Sequence, residues 1–462
     1  MLTYSLTKKP GLPLYEDLYR QIRGDILSGT LRAGEKLPSK RALARHLQVG
    51  KTTVEAAYAQ LLSEGLILSQ EKVGFFVENV PLRPRPAVPS QPVHQEQPRV
   101  LADFTASNVE HFPFSVWIKL QREVILDYDK ALLLPLPSQG IRELREAIAA
   151  HLASFRGMQV DPDRILVGAG TDFLYNLLIQ LLGRDKRYAV EDPGYGKIRK
   201  IYAAGGVNCR CVAMEESGIR LDGLADADVV HVSPAHHFPT GIVMPMARRR
   251  ELLNWAAAGD RFVIEDDYDS EFRFRSRPLP ALAALDPERV IYINSFSKTL
   301  APSIRISYLV LPERLMTRFR ENLGFYGGTV PSFEQYTLAR FLSRGYFEKH
   351  INRMRRFYAA RRDRLIELLA ESALRNFVTV EEQDAGLHFL LRLKTELSDD
   401  ALLAQLKARG ILAQTLSRFY ADENRAEQHC LVVNYSALPE AALEAAIPAL
   451  TQILQSSKPP KS

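Results

Sequence analysis

Lys298 lies in the stretch NSFSKTLAPSIR, flanked by Ser295, Ser297 and Thr299 and followed by Arg305. A lone lysine is usually a solvated surface charge. Here a primary amine stands among hydroxyls with a guanidinium close behind, the layout of an amine nucleophile beside a phosphate site. Such an amine, desolvated and near other cations, forms Schiff bases with carbonyls. Upstream, Asp266 and Tyr268 end the stretch RFVIEDDY. One of them could hold a ring nitrogen protonated and the other could donate to a phenolic oxygen. Lysine, carboxylate and phosphate cradle together are what pyridoxal 5'-phosphate requires.

These groups need strand ends to hold them. RILVGAG leads into TDFLYNLLIQLL, and YAVEDPGYGKIRKIYAAGG leads to the next short strand. DVVHVSP, RFVIEDDY, VIYINSF and SYLVLP read as further buried strands. The alternation predicts an α/β domain with a largely parallel sheet, whose ligands sit at the carboxyl ends of strands.

A second kind of chemistry lies near the amino terminus. From Arg32 to Lys51 the charged residues are Arg32, Lys36, Lys40, Arg41, Arg45 and Lys51 against Glu35 alone. Such a run is commonly a solvated helix face. The pattern around it argues otherwise. Leu14, Leu18, Ile22 and Ile26 mark one helix face, Ser39 is suited to cap a second helix, KRALARHL, and a third is expected over Lys51–Glu64 with Val54, Ala57, Leu61 and Leu62 inward. Leu66–Leu68 and Phe75–Val77 then read as a hairpin whose turn contains Gly74. Helix, helix, tight turn, helix and hairpin make a winged helix-turn-helix. The first turn of the third helix, with Lys51, Thr52 and Thr53, is the end that meets base edges in that motif, and the cations neutralise phosphates.

Between these two parts, Pro81–Pro98 holds six prolines and no aromatic residue, the composition of a semi-rigid linker. The expected organisation is a DNA-binding domain at 1–79, a linker at 80–100 and a large domain at 101–462, with a frayed SSKPPKS tail. Hydrophobic residues make up 46% and charged residues 25% of 462, so collagen-like and disordered classes are excluded. No apolar run is long enough for a membrane helix, and the amino-terminal stretch lacks the apolar core of a signal peptide; a cytoplasmic protein is expected. The net charge of +6 is a weak hint of an acidic partner by itself. Cys209, Cys211 and Cys430 are too few and too clustered for a disulfide framework, and the CRC pair reads as packing. Isolated histidines such as His111, His231 and His236 read as hydrogen-bonded core or surface residues, and no metal site is expected.

From Pro13 to Val77 the chain resembles the GntR-type winged helix, through PLYEDLYRQIRGDILSGTLRAGEKLPSKRALARHL, TTVEAAYAQLLSEGLI and VGFFV. The resemblance implies DNA contacts from Ser39, Arg41, Lys51, Thr52, Thr53 and Gly74. Gly50 departs from the hydroxyl or polar residue usual in that family. From about Asp103 to Leu454 the chain resembles the aspartate-aminotransferase-type fold (fold type I) of pyridoxal phosphate enzymes, through GIRELREAIAAHLASFRG, VGAGTDFL, EDPGYG, PAHHFPTG, EDDYDSEFR and FSKTLAPSIR. The fusion of the two is the layout of MocR-type transcription regulators. It implies that Lys298 bears a Schiff base, Asp266 pairs with the pyridine nitrogen, Tyr268 bonds the phenolic oxygen and Tyr195 stacks on the ring. Gly170, Thr171 and Asp172, at a helix start, would hold the phosphate with Ser295, Ser297 and Arg305. A head-to-tail homodimer and a double-stranded DNA operator are implied as well.

Departures bear on function. Phe238 replaces an asparagine usual in aminotransferases, His237 stands where MocR-type proteins often have glutamine, and LLLPLPSQG lacks a tyrosine that commonly reaches the partner subunit. Val432 occupies the usual place of a carboxylate-binding arginine, for which Arg418 or Arg425 could substitute. The preferred reading is a regulator whose large domain binds pyridoxal phosphate and senses either that coenzyme, as PdxR-type relatives do, or an amino compound. The alternative is a working aminotransferase with an accessory DNA-binding domain.

Overall fold

Apolar residues four apart set the first helix. Leu18, Ile22 and Ile26 bury one stripe of α1 (Leu14–Ser28), and Gly29 ends it at φ 80° with its N–H on the Ile26 carbonyl. The computed structural model describes residues 2, 4, 6, 13–70, 73–79, 100–108, 110–274, 279–381 and 385–456. They fall in two compact units, Met1–Gln95 and Glu96–Ser462. The expected linker lies outside the described residues except at Val100, as does the chain beyond Ser456.

In the first unit β1 (Lys36–Leu37) follows α1, and Ser39 Oγ accepts the Ala42 N–H at 3.2 Å to start α2 (Lys40–His46). Helix α3 (Lys51–Ser63) buries Val54, Ala57, Tyr58 and Leu61. Leu62, expected inward, is half-buried; Tyr58 takes the core place and donates its O–H to the Pro38 carbonyl at 2.9 Å. β2 (Ile67–Gln70) and β3 (Gly74–Val77) form the hairpin, and β1 adds a third strand antiparallel to β3. The sequence shows no sign of β1, because two residues are too few to show an alternation.

The second unit starts with β4 (Ala102–Asp103), α4 (Phe114–Tyr128) and α5 (Arg142–Arg156). Then come β5 (Ile165–Gly168), α6 (Thr171–Leu182), β6 (Arg187–Asp192), α7 (Gly196–Ala204), β7 (Asn208–Glu215), β8 (Gly218–Ile219) and β9 (Val229–Val232). They are followed by α8 (Met246–Ala257), β10 (Phe262–Asp266), α9 (Leu282–Leu285), β11 (Val290–Ser295) and β12 (Ser307–Val310). One eight-stranded sheet results, in the order β5-β12-β11-β10-β9-β6-β7-β8. From β11 to β7 neighbouring strands are parallel, as the alternation predicts, but β12 is antiparallel to both β11 and β5. The loop carrying Lys298 and Arg305 is too short to house a crossover helix, so the chain turns back beside β11.

The central strands are buried on both faces. Ile264, Ile291 and Leu309 pack with α6 and α7, while Val263, Tyr292 and Tyr308 belong to the larger core on the other side. Helices α10 (Glu313–Asn322), α11 (Ser332–Ser343) and α12 (Tyr346–Glu371) then lead to β13 (Val378–Glu381) and β14 (His388–Leu393). The chain closes with α13 (Asp399–Ala408), β15 (Ile411–Leu412), β16 (Cys430–Asn434) and α14 (Glu440–Ser456). β13, β14 and β16 form a small antiparallel sheet, and β15 pairs with β4.

Candidate functional site

In the first unit the candidate residues open two neighbouring helices and the wing. Ser39 and Arg41 are exposed at the start of α2, and Lys51 and Thr52 are exposed at the start of α3, with Thr53 half-buried. Lys51 Nζ also lies 3.1 Å from Glu55 one turn on. Gly74 starts β3 beside the Lys36 side chain. Lys36 and Lys40 rest over the Phe76 and Phe75 rings at 5.8 and 5.1 Å, so aromatic faces hold two cations at the wing. The basic run contained both residues, but only the sheet shows where they stand. Gly50 caps α3 without a side-chain bond at φ −61°, a conformation open to any residue.

In the second unit, a cleft of about 280 Å³ gathers Thr171, Asp172, Tyr195, Asp266, Tyr268, Ser295, Ser297, Lys298 and Arg305. Gly170, the cap residue of α6, is not itself among the lining residues. Strand ends and helix starts position these side chains: Asp266 ends β10, Ser295 ends β11, Thr171 begins α6, and Tyr195 precedes α7. Sequence separation is large, yet all lie at the carboxyl edge of one sheet.

Asp266 is buried. Its Oδ2 accepts the Tyr175 O–H at 2.5 Å and lies 3.6 Å from His231 Nε2, while its Oδ1 has no partner among the described residues. Burial and the Asp266 charge push the Tyr175 phenol well above its ordinary pKa, so it remains a donor. A buried carboxylate oxygen without a donor is costly unless something brings one.

At the other end, Gly170 has φ 88°, and a Cβ there would lie 2.3 Å from Arg305 Nη2. The guanidinium therefore lies directly on the backbone that opens α6, where unpaired N–H groups and the helix dipole favour an anion. Arg305 Nη2 is 3.3 Å from Asp172 Oδ2, which also receives Lys197 Nζ at 2.7 Å. Burial alone would raise the Asp172 pKa, but the two cations outweigh it and hold the carboxyl below its ordinary value. Two positive charges share one negative, leaving the helix start net positive. Ser295 Oγ donates to Ser297 Oγ at 3.0 Å and receives Ser307 Oγ at 2.9 Å, completing a hydroxyl cluster there.

Lys298 Nζ reaches Ser107 Oγ at 3.3 Å and has no ion-pair partner among the described residues. Its side chain opens onto the cleft, while protein around it removes enough water to lower its pKa below that of an ordinary lysine. Tyr268 shares a 3.2 Å hydrogen bond with His236 Nδ1, and burial with nearby carboxylates keeps its phenol protonated. Tyr195 is 48% exposed, its ring free on the cleft side apart from an edge contact with Phe238 at 6.0 Å.

Several neighbours escaped the sequence reading. His236 Nδ1 is 3.0 Å from Asp269 Oδ2 and packs on Gly386 so closely that a Cβ there would lie 1.8 Å from the ring, so the histidine read as isolated braces Tyr268. His388 on β14 and Tyr175 on α6 also line the cleft. His237 Nε2 lies 3.3 Å from Glu191 Oε2; burial pushes Glu191 up to about 8 and His237 down to about 3, so at neutral pH the pair holds an acid and an uncharged imidazole. Val432 is buried with Leu390, Leu416 and Cys430. The suggested substitutes do not reach the cleft: Arg418 pairs with Asp400 at 2.5 Å, and Arg425 is not among its lining residues. Cys209 and Cys211 pack against the core beside α7, as read.

Residues 14–77 match the family described as Bacterial regulatory proteins, gntR family, and residues 100–450 match Aminotransferase class I and II. The chain is 36% identical to the uncharacterized HTH-type transcriptional regulator YdeL of Bacillus subtilis, over 91% of this chain and 92% of the relative. It is 31% identical to the probable rhizopine catabolism regulatory protein MocR of Rhizobium meliloti, over 89% of this chain and 88% of that one. The HTH-type pyridoxine biosynthesis transcriptional regulator PdxR of Corynebacterium glutamicum is also 31% identical, over 87% and 88%. An archaeal alanine:glyoxylate aminotransferase structure superposes with a TM-score of 0.70 at 23% identity, over 79% of this chain and 93% of that one. That likeness shows the fold: the large unit has the aspartate-aminotransferase-like, fold type I architecture.

Proposed function

The chain belongs to the MocR-type transcription regulators, a gntR-family winged helix joined to an aminotransferase class I and II unit, and on that premise we propose that it binds an operator in double-stranded DNA and holds pyridoxal 5'-phosphate at Lys298. The observation that carries the coenzyme reading is the buried, unpartnered Oδ1 of Asp266, which a protonated pyridine nitrogen would satisfy. Bound there, the coenzyme supplies an electrophilic carbonyl and an electron-withdrawing ring. The chain supplies the rest. Lys298 offers a low-pKa amine for the Schiff base, Tyr268 a phenol donor for the ring oxygen, and Tyr195 an aromatic face. The start of α6 at Gly170, Thr171 and Asp172, with Ser295, Ser297 and Arg305, fits the phosphate.

On the DNA side, Ser39, Arg41, Lys51, Thr52, Thr53 and Gly74 form the reading surface, with Lys36 and Lys40 as further phosphate contacts at the wing. The effector is pyridoxal phosphate itself or an amino compound; relatives are named for pyridoxine biosynthesis and for rhizopine catabolism. Val432 in its apolar cluster supports signalling over amino-acid turnover. The regulator is a homodimer of the head-to-tail kind. Phe114, Ile118 and Ile125 of α4 expose 64, 60 and 49% of their surface, with Leu133 and Leu134 at 75 and 65%, a run that a second copy would cover. A cytoplasmic location accords with this role, and among the described residues no helix is long and apolar enough to cross a membrane.

The test is the visible absorbance of the purified protein before and after exhaustive dialysis, and after pyridoxal phosphate is added back. A band that survives dialysis makes the coenzyme a resident group and an amino compound the effector. A band lost and restored in proportion to added coenzyme makes the coenzyme the signal. No band under any condition overturns the assignment of Lys298. Steady turnover of an amino donor and a keto acceptor, abolished by Lys298→Ala, would instead establish the aminotransferase.

A further inference from the structure

One wall of the cleft is built by Phe238, Leu387, His388 and Asn434, from the loop after β9 and the facing ends of β14 and β16. His388 is the group on it with chemistry to spare. Its Nε2 lies 3.1 Å from the Pro239 carbonyl oxygen, which can only accept, so Nε2 carries the proton and Nδ1 is left with a lone pair. Nδ1 has no partner among the described residues and is not sealed from solvent, and the residue lines the cleft. The lone pair therefore faces the cleft. Burial, with His236 and Lys298 nearby, keeps this ring well below the ordinary histidine pKa and hence uncharged. Ring contacts with His236 at 4.6 Å and Phe238 at 5.2 Å hold its plane in place.

Apart from Asp266 Oδ1, which the ring nitrogen of the coenzyme would take, the carboxylates around the cleft are engaged. Asp172 receives Lys197 and Arg305, Asp269 receives His236, and Glu191 receives the Ser233 N–H at 3.0 Å. Asn434 Oδ1 is taken by Ser436, both N–H and O–H. Of the cations, Lys197 and Arg305 share Asp172, and β14 and β16 contribute none among the described lining residues; Arg199 on α7 lies 3.8 Å from the uncharged Cys211 thiol of β7. A carboxylate brought against Phe238 and Leu387 would lose water and find no counter-charge on that wall among the described residues. An alkyl or hydroxyl group in that place loses little.

We propose that this wall receives a primary amine that carries no carboxylate, and that His388 Nδ1 accepts one of the amine's N–H hydrogens next to Lys298. The proposal rests on the reading that Lys298 holds the coenzyme, and it narrows the amino-compound class of effector. His388 acts here as a specificity-determining hydrogen-bond acceptor.

The test titrates matched probes into the full-length, coenzyme-loaded protein while its visible absorbance is followed: ethanolamine against glycine, and n-propylamine against β-alanine. Each amine is expected to perturb the spectrum at a concentration at least tenfold below that of its amino acid. His388→Leu should raise the half-effect concentration of the amines about tenfold, the equivalent of one lost hydrogen bond to a charged group. His388→Asn, which keeps an acceptor, should recover part of that loss. Glycine or β-alanine acting as well as its matched amine on the unsubstituted protein overturns the proposal, and this arm needs no variant to fold. So does a His388→Leu protein that binds the amines unchanged, or one whose coenzyme affinity falls as far as its amine affinity. Absence of any coenzyme band before amine is added overturns the reading at Lys298 and this inference with it, and is distinguished by that first spectrum.

Discussion

Gly170→Ala isolates the phosphate end of the cleft. Gly170 sits at φ 88° and ψ 163°, a region nearly reserved for glycine, so a methyl group there costs about 1–3 kcal/mol of backbone strain. The same methyl would lie 2.3 Å from Arg305 Nη2 and 2.5 Å from its Cζ. A guanidinium is the free end of a flexible side chain, so it swings away before the backbone yields. In moving it leaves Asp172, now 3.3 Å from Nη2, and vacates the place from which it would bond a phosphate. Loss of a hydrogen bond to a charged group is worth about 1.5–3 kcal/mol, roughly a ten- to hundredfold fall in affinity. The assay is a fluorescence or absorbance titration with pyridoxal phosphate and, separately, with pyridoxal, which lacks the phosphate. The variant should be less stable by about 2 kcal/mol and bind pyridoxal phosphate ten- to hundredfold more weakly, with little change toward pyridoxal. Pyridoxal phosphate affinity within threefold of the parent, or an equal loss for both ligands, would refute the reasoning.

Other expectations follow from separate parts of the molecule. Replacing Arg41 and Lys51 together with alanine should lower the slope of log affinity against log salt by about two, one per lost phosphate contact, with unchanged helicity; operator affinity equal to the parent's would remove these residues from the interface. Glu191 has its folded pKa raised from 4.5 to about 8 by burial, so the folded state holds its proton more tightly than the unfolded chain. Its contribution is therefore fully present below about pH 4.5 and is lost as pH rises through 8, by at most about 1.4 kcal/mol per pH unit. Chemical denaturation at pH 5 to 9 should show Glu191→Gln flattening that decline, and parallel curves for parent and variant would count against a buried, protonated Glu191. Ile118→Glu on the exposed face of α4 should turn a dimer into a monomer in sedimentation without loss of helicity, and a sedimentation coefficient that stays dimeric would move the interface elsewhere.

Much of this protein was legible before its coordinates. Helices α1 to α3 follow from four-residue apolar spacing and from Ser39 as a cap, because helix formation is decided by neighbours within a few residues. The hairpin β2–β3 and the strands ending in Asp266 and Ser295 were legible for a similar reason: a buried strand is a short apolar run, and the polar residues just past it stand at the sheet edge. Lys298, with its hydroxyl neighbours and Arg305, is likewise a local pattern. These chemistries need residues close together in the chain, and the chain records that closeness directly.

What the sequence could not record are contacts between segments whose separation carries no period. β1 exists only because β3 lies beside it, and β12 runs against its neighbours because the loop bearing Lys298 is too short for a crossover. Tyr175 bonds Asp266 across 91 residues and His388 meets the Pro239 carbonyl across 149, so neither appears as a motif with its partner. His236 read as a hydrogen-bonded core or surface residue, and it is buried and hydrogen-bonded, but only folding shows its partners to be Asp269 and Tyr268, with Gly386 against the ring. By itself the sequence determined helices α1 to α3, the hairpin, the central strands and the local pattern around Lys298, since those depend on short-range geometry. Only the tertiary structure decided which acceptor is left unpaired, which cation is already spoken for and which side chain faces the cleft, because burial and pairing are properties of the packed whole.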